Sequence, residues 1–283
     1  MKEKGRGWKP DMPDWRDHDL TTKAVKVLLE KKKAKIAKEV DLSEHCSPVE
    51  DQGSLGSCTA HAGTSLLEFH QKLMYNQHIE HSRLFLYKVT RFLDKDIGDT
   101  GAQLRTTMKA LTVFGCPPEM YWPYKTTEGW DIDPDNACYA FAQRYRALKY
   151  FRVDAPGLAP EQQLEAIKTH LSLGFALMFG FSCYSSLDRD EVGETGKVPF
   201  PNKGENGKGG HAILTVGYND SIQIVNNGVT TTGALKFQNS WGKAWGDKGF
   251  GWLPYDYILR GAADDFWGLT SAEWLDVSEF NSF

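Results

Sequence analysis

Gln52, Cys58, His211 and Asn239 are the residue types needed to attack a carbonyl carbon with sulfur. A thiol is a useful nucleophile at neutral pH only when something keeps it ionised and something holds the oxyanion its attack creates. The run Gln52-Gly53-Ser54-Leu55-Gly56-Ser57-Cys58 supplies an amide donor, glycines for a tight loop and, in Ser57, an expected N-cap for a helix opening at Cys58. The first turn of a helix favours a thiolate through the macrodipole, and a nearby imidazolium favours it further. Gly210-His211 and Asn239-Ser240-Trp241-Gly242 stand far downstream. A histidine held near the thiol can take its proton and later give it to a leaving group, once its other ring nitrogen is fixed by a partner.

From about Val40 to its end, the chain resembles the papain-like cysteine peptidases. Their signature is Cys-Gly-Ser/Ala-Cys-Trp/Tyr with His and Asn ~130–150 residues further on. Here the matching segments are Leu55-Gly56-Ser57-Cys58-Thr59, Gly210-His211-Ala212-Ile213-Leu214-Thr215-Val216-Gly217-Tyr218 and Gln238-Asn239-Ser240-Trp241-Gly242. Trp245-Gly246 and Gly249-Phe250 follow. Each segment is a weak match alone; together, in the family's order, they are a strong one. The resemblance implies that Cys58 is the nucleophile, His211 its acid/base and Asn239 the orienter of His211. It implies that Gln52 and the Cys58 backbone N–H hold the oxyanion, and that Trp241 shields the His211–Asn239 bond. Gly101, Ala102, Gly210 and Trp241 are implied to line the substrate cleft. Asp99-Thr100-Gly101-Ala102 reads equally well as a plain turn before a helix. Leu55 stands where the family usually has a second cysteine, and Thr59 where it has an aromatic. His211 and Asn239 also lie beyond the family's usual spacing, which implies insertions in the second half.

The implied reaction is acyl transfer from a peptide bond to Cys58, then hydrolysis of the thioester, with a peptide or protein as partner and neither cofactor nor metal. A peptide- or ligand-binding module on the same fold and a thiol acyltransferase are the alternatives. The first is disfavoured because all four polar groups are present. His78 and His81 lack companions for a zinc site, and Gly204-Glu205-Asn206-Gly207-Lys208-Gly209-Gly210 lacks the spacing of a phosphate loop. It reads as a flexible loop entering the His211 strand.

These groups need two kinds of element to hold them, and the implied fold is α+β: a helix-rich half packed on a β-barrel-like half with the cleft between. Residues 1–38 form an N-terminal segment, 39–145 the helical half and 146–283 the β half. Helices are expected from Cys58, over Ser82–Leu93, over Leu104–Phe114 and over Pro160–Leu173. Strands are expected over Leu148–Val153, Phe175–Phe181, Ala212–Tyr218, Ile222–Val225, Ala234–Asn239 and Phe250–Pro254, with a turn or short helix at Pro254–Ile258. In the first region, a basic helix is expected over Thr22–Lys38, preceded by an irregular stretch. Trp8, Met12 and Trp15 of that stretch are expected to pack on the body, since exposing them costs ~25 cal/mol per Å². This region reads either as a permanent strap or as a short blocking segment that must be displaced, as in a zymogen.

With 283 residues the chain can bury roughly three-quarters of its unfolded surface. Hydrophobic content of 41% and nine Trp mark a globular protein, and no apolar stretch is long enough to span a bilayer. A net charge of −4 gives no reason to expect nucleic acid, and a monomer is expected. Met1-Lys2-Glu3-Lys4-Gly5-Arg6-Gly7-Trp8 has no apolar h-region of a secretory signal, which leaves the location open between the cytoplasm and export by a route the sequence does not display. Cys46, Cys116, Cys138 and Cys183 read as buried hydrophobes, with disulfide pairing left open. Asn219-Asp220-Ser221 is formally a glycosylation sequon, but reads as readily as turn chemistry.

Overall fold

The computed structural model describes residues 4–12, 14, 17, 36–155 and 157–274. The expected basic helix and Trp15 lie almost wholly outside these residues. In chain order the elements are β1 (Trp8–Lys9), β2 (Glu39–Asp41), α1 (Cys58–Tyr75), α2 (Arg83–Asp94), β3 (Ala102–Gln103), α3 (Leu104–Val113) and α4 (Asn136–Ala142). There follow β4 (Tyr145–Arg152), α5 (Pro160–Ser172), β5 (Leu177–Tyr184), α6 (Asp190–Thr195), β6 (Gly207–Asn226), β7 (Val229–Gln238), β8 (Phe250–Pro254), α7 (Asp256–Leu259) and β9 (Ala263–Trp274).

Helix α1 begins at the thiol and is buried over most of its circumference, with Leu66, Leu67 and Phe69 fully inaccessible. Such a helix is held by burial on several faces, each large side chain contributing ~1.5–3 kcal/mol. Ser57 does not cap it through its side chain. Its Oγ is engaged instead by Tyr124 Oη at 2.6 Å. Ser82 does cap α2, accepting from Phe85 N at 3.1 Å.

A seven-stranded antiparallel sheet runs β4-β9-β5-β6-β7-β8, with β2 added to β6. Its side chains alternate between two cores, as a period of two requires. Met178, Leu214 and Trp267 face the cluster around α1, while Leu177, Ile213 and Phe266 belong to the cluster on the other side. The two strands expected over Ala212–Tyr218 and Ile222–Val225 are one long strand, irregular between Asn219 and Gln223. Asn219 Oδ1 accepts from Ser221 N at 2.7 Å at this irregularity, so the formal sequon lies within the strand rather than in a separate turn. The loop expected before His211 is already strand from Gly207, because it pairs with β5. Residues 39–41 pair with the sheet although the sequence reading gave them to the helical half. Strand β9 and the short helices α4 and α6 had no sequence expectation. The five cysteines are free and buried.

The N-terminal segment runs over the body, and Trp8-Lys9 pairs in parallel with Ala102-Gln103. Trp8 is buried as expected, whereas Met12 is 75% exposed. The chain has turned by then: Pro10 and Asp11 pin the backbone, and the Met12 side chain points out to water.

Candidate active site

Helix α1 supplies Cys58, β6 supplies His211, and the turn after β7 supplies Asn239. Backbone bonds lock these elements together. Gln52 N donates to Ser240 O at 2.9 Å, Gly242 N to Glu50 O at 2.9 Å and Asn239 N to Gly249 O at 2.9 Å. The loop before the thiol is therefore laced to the loop bearing Asn239. His211 Nε2 and Asn239 Oδ1 are 2.8 Å apart, and the Trp241 ring stacks on the imidazole at 4.5 Å. His211 Nδ1 is buried without a hydrogen-bond partner among the described residues.

Gln52 is fully buried, and its amide is oriented from both ends. Ser240 Oγ donates to Oε1 at 2.5 Å, and Nε2 donates to Leu55 O at 2.8 Å. The second Nε2 proton goes to Gly5 O at 3.1 Å. A backbone carbonyl of the N-terminal segment thus sits on the amide expected to receive an oxyanion. Ser240 and Tyr124, whose hydroxyl donates to Gln52 O at 2.9 Å, went unremarked in the sequence. The sequence contains no local pattern that would have identified Tyr124, whereas Ser240 adjoins Asn239.

Gly7 and Trp8 lie over the thiol, and Gly5 lies against Gln52, Gly53 and Leu55. Gly5 N donates to Gly53 O at 2.8 Å, and Ala102 N donates to Gly7 O at 2.8 Å. Space is minimal: a Cβ on Gly5 would stand 1.9 Å from Leu55 O, and one on Gly7 2.0 Å from Gly56 O. Gly101, at φ 72°, faces the same strand, where its own Cβ would meet Gly7 O at 2.1 Å. Gly210 lies against the Trp8 ring. The four residues expected to line the cleft, Gly101, Ala102, Gly210 and Trp241, therefore all border this segment, Trp241 beneath Arg6 at 5.8 Å. Four ion pairs fasten it: Lys4 to Asp51 at 3.1 Å, Arg6 to Asp188, Lys9 to Asp96 at 2.6 Å and Asp11 to Arg105 at 3.7 Å.

This cover alters the site's electrostatics. Burial pushes the Cys58 thiol up to about 11, against the pull of the Ala212, Gly7, Thr59 and Trp8 backbone N–H groups. Burial lowers His211 to about 4, the Asn239 bond working the other way and the Arg6 charge adding to the fall. Both groups are neutral at pH 7 in this state. The backbone N–H groups of Gly7 and Trp8 in the segment are directed at the Cys58 sulfur.

Asp154, Asp264 and Asp265 form an acidic group at the edge of the cleft. A guanidinium already sits among them, with Arg152 Nη2 2.8 Å from Asp154 and 2.9 Å from Asp265. Among the described residues no helix is long and apolar enough to cross a membrane.

Residues 36–259 match the papain family of cysteine proteases. A peptidase C1-like protein of Acanthamoeba polyphaga mimivirus, itself uncharacterized, is 34% identical over 236 residues, which are 82% of this chain and 72% of that protein. The crystal structure of xylellain, a cysteine protease from Xylella fastidiosa, has a TM-score of 0.77 and 32% identity, over 95% of this chain and 97% of that one. The proform of Amb a 11, a cysteine protease and ragweed pollen allergen, shares the fold at a TM-score of 0.63 and 21% identity, over 86% of this chain and 70% of that one.

Proposed function

Because the chain belongs to the papain family of cysteine proteases, we propose that Cys58 is its nucleophile and that residues 4–11 hold the enzyme shut. The carrying observation is the occupied centre: Gly5 O on the Gln52 amide at 3.1 Å, beside a His211–Asn239 pair at 2.8 Å. Once the segment leaves, water and substrate reach the thiol, and the desolvation that keeps Cys58 and His211 neutral is relieved. His211 Nδ1 then takes the Cys58 proton, and sulfur attacks the peptide carbonyl carbon. Gln52 Nε2 and the Cys58 N–H bind the oxygen as it becomes negative. Collapse breaks the C–N bond, His211 gives its proton to the departing amine, and the acyl group remains on sulfur. Water then attacks the thioester with its proton passing to His211, and the carboxylic acid leaves as the thiol is restored. Asn239 holds the ring in one orientation, and Trp241 keeps water from that bond.

This is a zymogen-like arrangement within one chain, and residues 1–38, 39–145 and 146–283 serve as regulator, nucleophile-bearing half and base-bearing half. Its substrate is a peptide or protein, and it acts as a monomer. The test is labelling by a thiol-alkylating peptidomimetic together with peptide cleavage. Cys58→Ala is expected to abolish both while retaining the native circular dichroism spectrum. Preferential labelling of Cys46 or Cys116 in the folded chain would sink the assignment.

A further inference from the structure

The run from Gln52 to Cys58 carries both groups read as oxyanion donors, the Gln52 amide and the Cys58 backbone N–H. No disulfide holds this run, since Leu55 stands at the family's second cysteine position and all five cysteines are free. A carboxylate holds it instead. Gly56 N, two residues before the thiol, donates to both oxygens of Asp99, at 2.8 Å to Oδ1 and 3.1 Å to Oδ2. Tyr87 Oη donates to Asp99 Oδ1 at 2.5 Å and accepts from Gly101 N at 3.1 Å. The nucleophile loop, helix α2 and the glycine turn at the cleft are thereby tied at one point. Tyr87 is fully buried, with the Arg91 guanidinium 4.3 Å from its ring centre. Arg91 also donates to Gly98 O at 2.6 Å, which fixes the turn that carries Asp99. None of these bonds uses the N-terminal segment, so the clasp does not depend on the cover.

We propose that Asp99 is a positioning residue for acyl transfer: by gripping Gly56 N it aims the Cys58 N–H and the Gln52 amide at the oxyanion. The proposal rests on the reading of Cys58 as nucleophile. A bond from an N–H to a carboxylate is charge-assisted and stronger than one to a neutral acceptor. Aim matters more than strength here, because oxyanion donors work only when directed at the place where charge develops. A displacement of about 1 Å can cost ~10² in rate. Tyr124 fastens the same run at its ends: its Oη accepts from Ser57 Oγ at 2.6 Å and donates to Gln52 O at 2.9 Å. Gly56, between them, is left to Asp99. Asp99 is itself exposed, so water can reach the Gly56 N–H in its absence. What is then lost is the direction of the loop rather than the fold.

The experiment uses the full-length chain carrying Trp8→Gly, which removes the buried ring of the covering segment. On that background Asp99→Ala and Asp99→Asn are compared by kcat and KM on one peptide, and by the rate of Cys58 alkylation with iodoacetamide. Asp99→Ala is expected to lower kcat by about tenfold or more, with KM little changed. Alkylation should stay within about twofold, because displacement at a saturated carbon needs the thiolate but creates no oxyanion. Asp99→Asn keeps an oxygen for Gly56 N and Tyr87 Oη, and should recover most of kcat. Should Asp99→Ala fail to fold, Tyr87→Phe is the second arm. It removes one hydroxyl from the clasp, and should lower kcat by about threefold with alkylation again preserved. An unchanged kcat, or kcat and alkylation falling together, overturns the positioning role. The peptidase reading then survives, provided Cys58→Ala abolishes the cleavage. If no peptide is cleaved and iodoacetamide leaves Cys58 unlabelled, both readings fall together.

Discussion

Cys58, His211, Asn239 and Gln52 differ in what they contribute, and the differences are measurable. Gln52 donates to one oxygen, so Gln52→Ala is expected to lower turnover by ~10²–10³, the usual loss for one oxyanion donor. Its amide is fixed by Ser240 and Leu55 before any substrate arrives, which spares reorganisation during the reaction. Asn239 orients a ring that stacking on Trp241 also steadies, whereas His211 moves the proton itself. Asn239→Ala should therefore cost far less kcat than His211→Ala, with both rates measured on one peptide in the activated enzyme. Equal losses would mean that the imidazole has no useful position without its amide partner.

At the scale of the element, the covering strand is secured by contacts that tolerate no side chain. Gly7→Val would drive a methyl-bearing carbon into the Gly56 carbonyl, and overpacking of this kind costs about 1–3 kcal/mol. The open form should rise by roughly tenfold, and with it the cleavage rate of the uncut chain. An unchanged rate would mean that the strand does not limit access. The far end of the strand carries a pH dependence. Asp11 and Asp265 bury their carboxyls together, with Arg105, Arg152, Asp154 and Asp264 facing them and Asp17 bound to Arg105. Burial raises Asp11 to about 6 and Asp265 to about 7. Groups whose pKa is raised in the closed form favour closure below the open-form value, near 4, and lose that contribution as pH climbs through 6 to 7. Hydrogen exchange of the Trp8–Asp11 amides, measured against β7 amides as internal reference, should therefore be more protected at pH 5 than at pH 8. The opposite order would show that Arg105 and Arg152 dominate the pair.

For the whole molecule, the segment spans both halves: it pairs with β3 on the helical side and reaches Asp265 on β9. Removing residues 1–38 should raise both peptide cleavage and Cys58 alkylation at pH 7 without changing which bonds are cut. Loss of activity with loss of structure would mark the segment as a strap needed for folding. The two halves can meet as they do because α1 lies against the face of the sheet built by β5, β6 and β9. This brings a helix N-terminus to the edge of the strand bearing His211.

Much of this was legible in the chain itself. Residue types and short-range spacing determined the candidate groups, because glycine loops, a helix-opening cysteine and the Asn-Ser-Trp-Gly turn are local devices. Periodicity likewise located α2, α3 and α5 to within a residue or two at their ends, and α1 at its start. The path of residues 4–11, the partner of Gly5 O and the meeting of Trp8 with Asp265 were decided only by tertiary structure. Those contacts join positions up to 257 residues apart in sequence, and Trp8, Asp11 and Asp265 carry no local mark of it. Strand β9 was missed for the same reason. Its Asp264-Asp265-Phe266-Trp267 run shows no period of two and acquires a direction only between β4 and β5, where one face meets α1 and the other lies in the second core.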